Sequence, residues 1–183
     1  NGTAVLNAQD PLVAEMAEHC RGSVCFFSIN GDNPVIRKHC GKGGRALFVR
    51  DQMIILADGA QEVHFAMLDM IPLTHRGTIR FQVENVLAAI GAAWALGLPF
   101  EKILTAAETF IANFINLPGR FNVVSRNGST IIVDYGHNPS SLEAIIAALD
   151  NYDHKRRVAI YSTAGDRRDC DIILQGKLLG EAF

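Results

Sequence analysis

The sequence predicts an α/β fold in two parts, and three observations carry that reading. Two short apolar strands, Thr3 to Leu6 and Val24 to Ile29, flank a helix opened by Pro11. That βαβ pattern implies a parallel sheet with a right-handed crossover. Asn116-Leu117-Pro118-Gly119 then reads as the chain's linker. Beyond it, a β-branched strand runs into Asp134 and a helix begins at Pro139, the arrangement in which open α/β sheets bind ligands at the carboxyl ends of their strands.

Taken in order, the first helix runs from Pro11 to about His19, with Leu12, Val13 and Met16 on one face. Asn30 to Gly44 is polar and glycine-rich, with a helical turn from Pro34 to His39. Ala46–Val49, Met53–Leu56 and Glu62–Leu68, separated by Arg50-Asp51-Gln52 and Asp58-Gly59-Ala60, read as an antiparallel meander. A long helix from about Phe81 to Ala95 or Leu96 carries an apolar stripe of Val83, Val86, Leu87 and Ile90 and ends at Gly97. A second helix is predicted from Pro99, at its first position, to about Phe114. After the linker, Phe121–Arg126 is a strand, Asn127-Gly128-Ser129 a hairpin turn, and Thr130–Val133 a strand buried on both faces. Asn138 is the expected N-cap of a helix bearing Leu142, Ile145, Ile146 and Leu149. Arg157–Ser162 reads as a further parallel strand, and Ile172–Leu179 as a helix.

The composition is that of an ordinary globular protein, 49% hydrophobic and 20% charged over 183 residues. A net charge of −2, from 17 basic and 19 acidic side chains, gives no electrostatic case for nucleic acid or an anionic membrane. No apolar run approaches the roughly 20 residues that span a bilayer. Cys20, Cys25, Cys40 and Cys170 match no zinc or redox spacing, and His19-Cys20 and His39-Cys40 are sequence neighbours that point apart on regular elements. Reduced thiols in a cytoplasmic protein without a structural metal are expected, and the sequons at Asn1 and Asn127 are then without consequence. The chain starts at Asn1 and stops at Phe183 inside a helical pattern, so a longer parent protein is expected.

Several residues have chemistry to offer. Asn85 lies among apolar and small residues of the long helix; its carboxamide suits an adenine ring, though a solvent-facing polar residue would look the same. Arg120 follows a Pro-Gly turn and either reaches a phosphate or pairs with a surface acid. Asp134 and His137 stand at a strand's carboxyl end; Asp134 either accepts ribose hydroxyls or joins Asn138 in capping the helix. His137 either stacks on a nucleotide or orients Asp134. Asp166, Arg167 and Arg168 form a second charged loop, which shapes a substrate site or pairs internally.

GRF at 119–121 followed by DYGHNP at 134–139 resembles the start of the C-terminal domain of the Mur ligase superfamily, whose members are ATP-dependent amide ligases. AVLNAQDPLVAEMAEHC at 4–20, FQVENVLAA at 81–89, GDRRD at 165–169 and QGKLLG at 175–180 place the resemblance nearest the cyanophycin synthetase branch. It implies that residues 1–117 are the later part of a Mur central domain, with the meander as its small sheet. Residues 118–183 then begin a Rossmann-like C-terminal domain. It further implies an adenine contact for Asn85, a nucleotide contact for Arg120 across a cleft, and ATP-site positions for Asp134 and His137. Asp166 and Arg167 become substrate-loop candidates. The implied reaction is ATP- and Mg2+-dependent: arginine is added to the β-carboxylate of an aspartate in a cyanophycin primer through an acyl phosphate, in a homo-oligomer.

One departure stands out. Gly41-Lys42-Gly43-Gly44 and Gly176-Lys177-Leu178 lack the spacing and hydroxyl of a phosphate-binding loop. The loop, the magnesium glutamate and an ATP-grasp domain are therefore expected upstream, and no turnover is expected from this chain alone. The alternatives are another Mur-type ligase, for peptidoglycan precursors or folate, and a non-catalytic nucleotide-binding module of the same fold.

Overall fold

The computed structural model describes residues 2–183; Asn1, with its sequon, lies outside them. The chain divides into two compact units, one ending at Ile111 and the other running Ala112–Phe183.

The first unit is built on one five-stranded sheet in the order β1-β2-β3-β4-β5. β1 (Thr3–Asn7), β2 (Ser23–Ser28) and β3 (Arg45–Arg50) run parallel. β4 (Met53–Asp58) and β5 (Gln61–Met67) then return antiparallel. The meander and the parallel pair therefore share one sheet, joined through β2 and β3. The two-residue turn at Asp51 and Gln52, both at positive φ, has the twist a tight hairpin needs.

Side chains alternate across this sheet, as its pleat requires. Cys25, Phe27, Leu47, Ile54 and Leu56 face one side, where they meet α3 (Arg80–Ala95) and α4 (Phe100–Thr109). Phe26, Ala46, Phe48, Ile55 and Ala57 face the other, with α1 (Pro11–Glu15) and α2 (Pro34–Cys40). Val83, Val86, Leu87, Ile90 and Trp94 form the buried stripe of α3. Gly91 lets that helix approach closely, since a Cβ there would sit 2.9 Å from Val5 and 3.1 Å from Leu47.

Asp10 and Asn33 cap the two short helices by accepting backbone N–H bonds, with Pro11 and Pro34 at their first positions. Pro99 is the residue before α4 rather than its first position. α4 ends at Thr109, short of the expected Phe114, because Phe110 is extended. Beyond it, the Asn113 side chain accepts the N–H groups of Ile115 and Asn116, a local alternative to helix.

The second unit contains a hairpin of β6 (Asn122–Arg126) and β7 (Ser129–Val133), then α5 (Pro139–Leu149) and α6 (Asp169–Ala182). Asn127 and Gly128 both take positive φ in its two-residue turn. Phe121 is not part of β6: it adopts a left-handed φ of 49° and is buried. β7 is not buried on both faces, and Ile131 is 44% exposed, because β6 is the partner it has among the described residues. Arg157–Ser162 forms no strand for the same reason; it joins no ladder, and Val158 and Ile160 stand exposed. Among the described residues no helix is long and apolar enough to cross a membrane.

Candidate functional site

In the first unit, the loops at the carboxyl ends of β1 and β2 are tied together by amide side chains. The Gln9 carboxamide accepts the Ile29 N–H at 3.1 Å, and Asn33 Nδ2 donates to the Ala8 carbonyl at 3.0 Å. The turn before α3 is likewise fixed. The buried Thr74 hydroxyl donates to the Leu68 carbonyl at 2.7 Å and accepts the Gly77 N–H at 3.0 Å. His75, Arg76 and Gly77 all take positive φ in that turn. Half-burial there holds the His75 imidazole below its ordinary pKa, since desolvation disfavours its charged form.

Asn85 is exposed on α3, and its Nδ2 donates to Oε1 of the buried Gln82 at 3.2 Å, one turn earlier. That bond fixes the carboxamide plane and uses one of its two N–H donors.

A cleft of about 430 Å³ lies instead at the amino ends of β1 to β3, lined among others by Cys25, His39, Arg45, Asp58 and Trp94. Arg45 is committed there: its Nε donates to Asp58 at 3.0 Å and its guanidinium lies 5.0 Å from the Trp94 ring centre. Burial pushes the Cys25 thiol up to about 12, which makes it an unreactive packing residue at neutral pH. None of Asn85, Arg120, Asp134, His137, Asp166 and Arg167 lines this cleft, and no group of three or more His, Cys, Asp or Glu side chains suited to a metal occurs among the described residues.

The second unit gathers Arg120, Asp134 and His137. The Asp134 carboxylate accepts the Phe121 N–H on Oδ2 at 2.7 Å and the Gly136 N–H on Oδ1 at 2.6 Å. It therefore does not cap α5. Asn138 does, accepting the Ser141 N–H at 2.8 Å while Ser141 Oγ reaches back to the Asn138 N–H. Nor does His137 orient Asp134: its Nδ1 lies 3.2 Å from the Tyr135 carbonyl and its ring 4.9 Å from the Tyr135 ring. Gly136 is needed where it stands, since a Cβ would sit 3.1 Å from Asp134 Oδ1 and 2.5 Å from Ile145.

Arg120 is exposed and makes no ion pair with a carboxylate among the described residues; its guanidinium lies 5.4 Å from the Tyr135 ring centre. The expectation of a surface acid as its partner is thus replaced by an aromatic face. Asp166 and Arg167 pair with each other at 3.7 Å, too long for a hydrogen bond, and the buried Arg167 Nε has no hydrogen-bond partner among the described residues. Arg168 turns away to a two-pronged pair with Asp171, at 2.9 Å on each arm, which holds the Asp171 carboxyl below its ordinary range.

Two residues that sequence reasoning passed over complete this cluster. Asn122 is 2% exposed, and its carboxamide spans the turn before it, accepting the Gly119 N–H at 2.7 Å and donating to the Leu117 carbonyl at 3.0 Å. Tyr135 supplies the ring under Arg120. A buried amide directly after a Gly-Arg turn, and an aromatic beside a strand-terminal acid, were the available signals.

Residues 119–182 match the family described as Mur ligase, glutamate ligase domain. The chain is 37% identical along its whole length to a cyanophycin synthetase of Trichormus variabilis, of which it spans about one fifth. It is 27% identical over 97% of its length to a UDP-N-acetylmuramoyl-L-alanyl-D-glutamate–2,6-diaminopimelate ligase of Geobacter metallireducens, covering 32% of that protein. Among solved structures, a pseudomurein peptide ligase type C from Methanothermus fervidus superposes with a TM-score of 0.53 and 25% identity, over 84% of this chain and 35% of that one. The chain thus carries a Mur ligase, glutamate ligase domain match over its C-terminal third, and along its whole length it is similar to Mur-type ligases.

Proposed function

We propose that this chain supplies part of the nucleotide site of an ATP-dependent amide ligase that adds arginine to aspartate β-carboxylates of a cyanophycin primer. One observation carries the reading: Arg120 is a permanently charged, exposed guanidinium held over Tyr135 rather than neutralised by a carboxylate. A fixed cation of that kind is suited to phosphate. The 37% identity to cyanophycin synthetase supports the choice of substrates.

In this reading ATP supplies the phosphoryl group that activates the carboxylate as an acyl phosphate, and the α-amine of arginine displaces phosphate to form the amide. Arg120 stabilises charge on the transferring phosphate, an effect realised most fully in the transition state. Asn85, its carboxamide held by Gln82, contacts adenine. Asp134 and His137 lie at the nucleotide, where the lone pairs of Asp134 not used by backbone amides accept ribose hydroxyls. The Asp166–Arg167 loop shapes the amino-acid site. Magnesium is assigned no ligand here, since the described residues hold no fitting cluster. Residues 1–117 belong to the central domain and 118–183 to the C-terminal domain of a cytoplasmic homo-oligomer.

The test is ADP release by the full-length protein given Mg-ATP, arginine and cyanophycin primer. Arginine-dependent release is expected, and its absence overturns the reading. Arg120→Ala should lower turnover roughly 100-fold, the scale of one lost electrostatic stabiliser. Arg120→Lys should recover little, because lysine lacks the planar fork.

A further inference from the structure

We propose that Tyr135 is a positioning residue for Arg120, its ring serving as the platform on which the guanidinium is pre-oriented. The proposal rests on the nucleotide role assigned to Arg120 and adds how that side chain is aimed.

The backbone on both sides of Arg120 is tied to the same short segment. Before it, the Gly119 carbonyl accepts the Tyr135 N–H at 2.8 Å. After it, the Phe121 N–H donates to Asp134 Oδ2 at 2.7 Å. Gly119 and Phe121 both take positive φ, at 68° and 49°. For phenylalanine that conformation is strained, because Cβ crowds the following carbonyl. Burial of the Phe121 ring and the bond to Asp134 offset the cost. The outcome is a sharp turn with Arg120 at its apex.

An apex fixed at its backbone still leaves a long side chain with several rotatable bonds. Tyr135 removes much of that freedom. Its own backbone is held by the Gly119 bond, and its ring is contacted on one side by His137 at 4.9 Å. The Arg120 guanidinium lies 5.4 Å from the ring centre, inside the roughly 6 Å reach of a cation–π contact. A carboxylate in that place would hold the arginine equally well but would cancel its charge. An aromatic face orients it and leaves its N–H donors for an anion. Tyr135 is 62% exposed, so its ring contributes little packing, and replacing it tests the platform rather than the core.

The experiment compares Tyr135→Leu with Tyr135→Phe in the full-length protein, each alone and with Arg120→Ala, by steady-state ADP release. Tyr135→Leu should lower kcat by roughly 3- to 10-fold, the scale of one cation–π contact, with KM for ATP changed less than about twofold. Tyr135→Phe, which keeps the ring, should restore most of that loss. In the Arg120→Ala background Tyr135→Leu should cost nothing more. An equal cost in both backgrounds, or equal harm from Phe and Leu, overturns the proposal.

A second readout needs no activity. In this chain the Arg120 δ-methylene and Nε–H proton resonances should be displaced upfield by the ring. Tyr135→Leu should return them toward unstructured values, and Tyr135→Phe should not. Resonances that ignore Tyr135→Leu overturn the platform. If Arg120→Ala leaves ADP release intact, the nucleotide reading is the one that falls, and the resonances alone decide the platform.

Discussion

β4 and β7 are made of the same kinds of residue, and their fates differ. Ile54, Ile55, Leu56 and Ala57 of β4 are all 2% exposed or less. Ile131 and Val133 of β7, equally suited to a core, are 44% and 39% exposed. β4 has a strand on each side and helices over both sheet faces, whereas β7 has one neighbouring strand. Burial is thus a property of the neighbours, and β-branched composition only makes a strand eligible for it. The second unit buries different things: Phe121, Asn122, Leu142 and Gln175, near the turn that carries Arg120 and the helices that follow. Its order is concentrated where the chemistry is proposed, and its hairpin stands open.

The sharpest way to break this comparison is to remove the same volume from both sheets. Leu47 is fully buried against α3, and Leu47→Ala should cost about 2–5 kcal/mol through lost transfer energy and the cavity left behind. Ile131→Ala should cost under about 1 kcal/mol. Urea denaturation, followed by a probe in each unit, measures both. Comparable losses would mean that β7 has cover on both faces in solution.

Next in size is Asn122. Its carboxamide satisfies two backbone groups of the Leu117–Gly119 turn from a buried position. Asn122→Leu should cost about 1–3 kcal/mol, the scale of leaving such groups unpaired. It should also loosen the Arg120 turn, seen as faster amide exchange at Gly119 and Phe121. Unchanged exchange at those two positions would make the turn independent of Asn122.

How much of this was legible in the sequence follows the range of each interaction. Caps, tight turns and helix stripes depend on residues a few positions apart, so the helix start at Pro11, the Asn127-Gly128 turn, the Asn138 cap and the stripe of α3 are legible in the sequence. The bond from Phe121 to Asp134 spans 13 residues and turns an expected ligand into a clasp as well. No local pattern announces it. Arg157–Ser162 has the composition of a strand, but a strand exists only with a partner, and none pairs with it among the described residues. The family resemblance drew on motifs spread along the chain. The platform at Tyr135 did not follow from it, because a ring under a guanidinium is a matter of distance.

A smaller effect separates the two units by pH. Burial holds the His75 imidazole below its ordinary pKa in the folded chain. Between that value and the ordinary one near 6.5, only the unfolded chain takes up the proton. Stability should therefore fall as pH drops from about 7 and level off once the folded imidazole also titrates. His75→Asn keeps a residue type that tolerates the left-handed turn and removes the titration. Its stability should be flatter over that window, measured at the first unit's probe. Glu62, whose bond to Arg50 holds its carboxyl below the ordinary range, acts only at lower pH. A slope of equal size in the variant would assign the pH dependence elsewhere.

The smallest expected effect is the most telling for the comparison. Ile160 is fully exposed, with a side chain that makes no use of the β-propensity predicted for it. If Arg157–Ser162 is extended but unpaired in this chain, Ile160→Thr exchanges one β-branched residue for another in solvent. Stability should then move by less than about 0.5 kcal/mol. If instead the segment pairs in solution, Ile160 alternates with its neighbours across a sheet and the substitution exchanges a buried ethyl group for a hydroxyl. The same substitution would then cost more than about 1 kcal/mol, because burying an unpaired hydroxyl adds to the lost transfer energy. The amide hydrogens of Val158 and Ile160 report on the same point without mutation. Free exchange at both goes with an unpaired segment, while protection at alternate residues goes with a ladder. A near-zero effect together with free exchange would show that the second unit holds its Arg120 turn without a completed sheet beneath it. Arg120 would then be aimed by the bonds that tie its turn to Asp134, Tyr135 and Asn122, and by the Tyr135 ring.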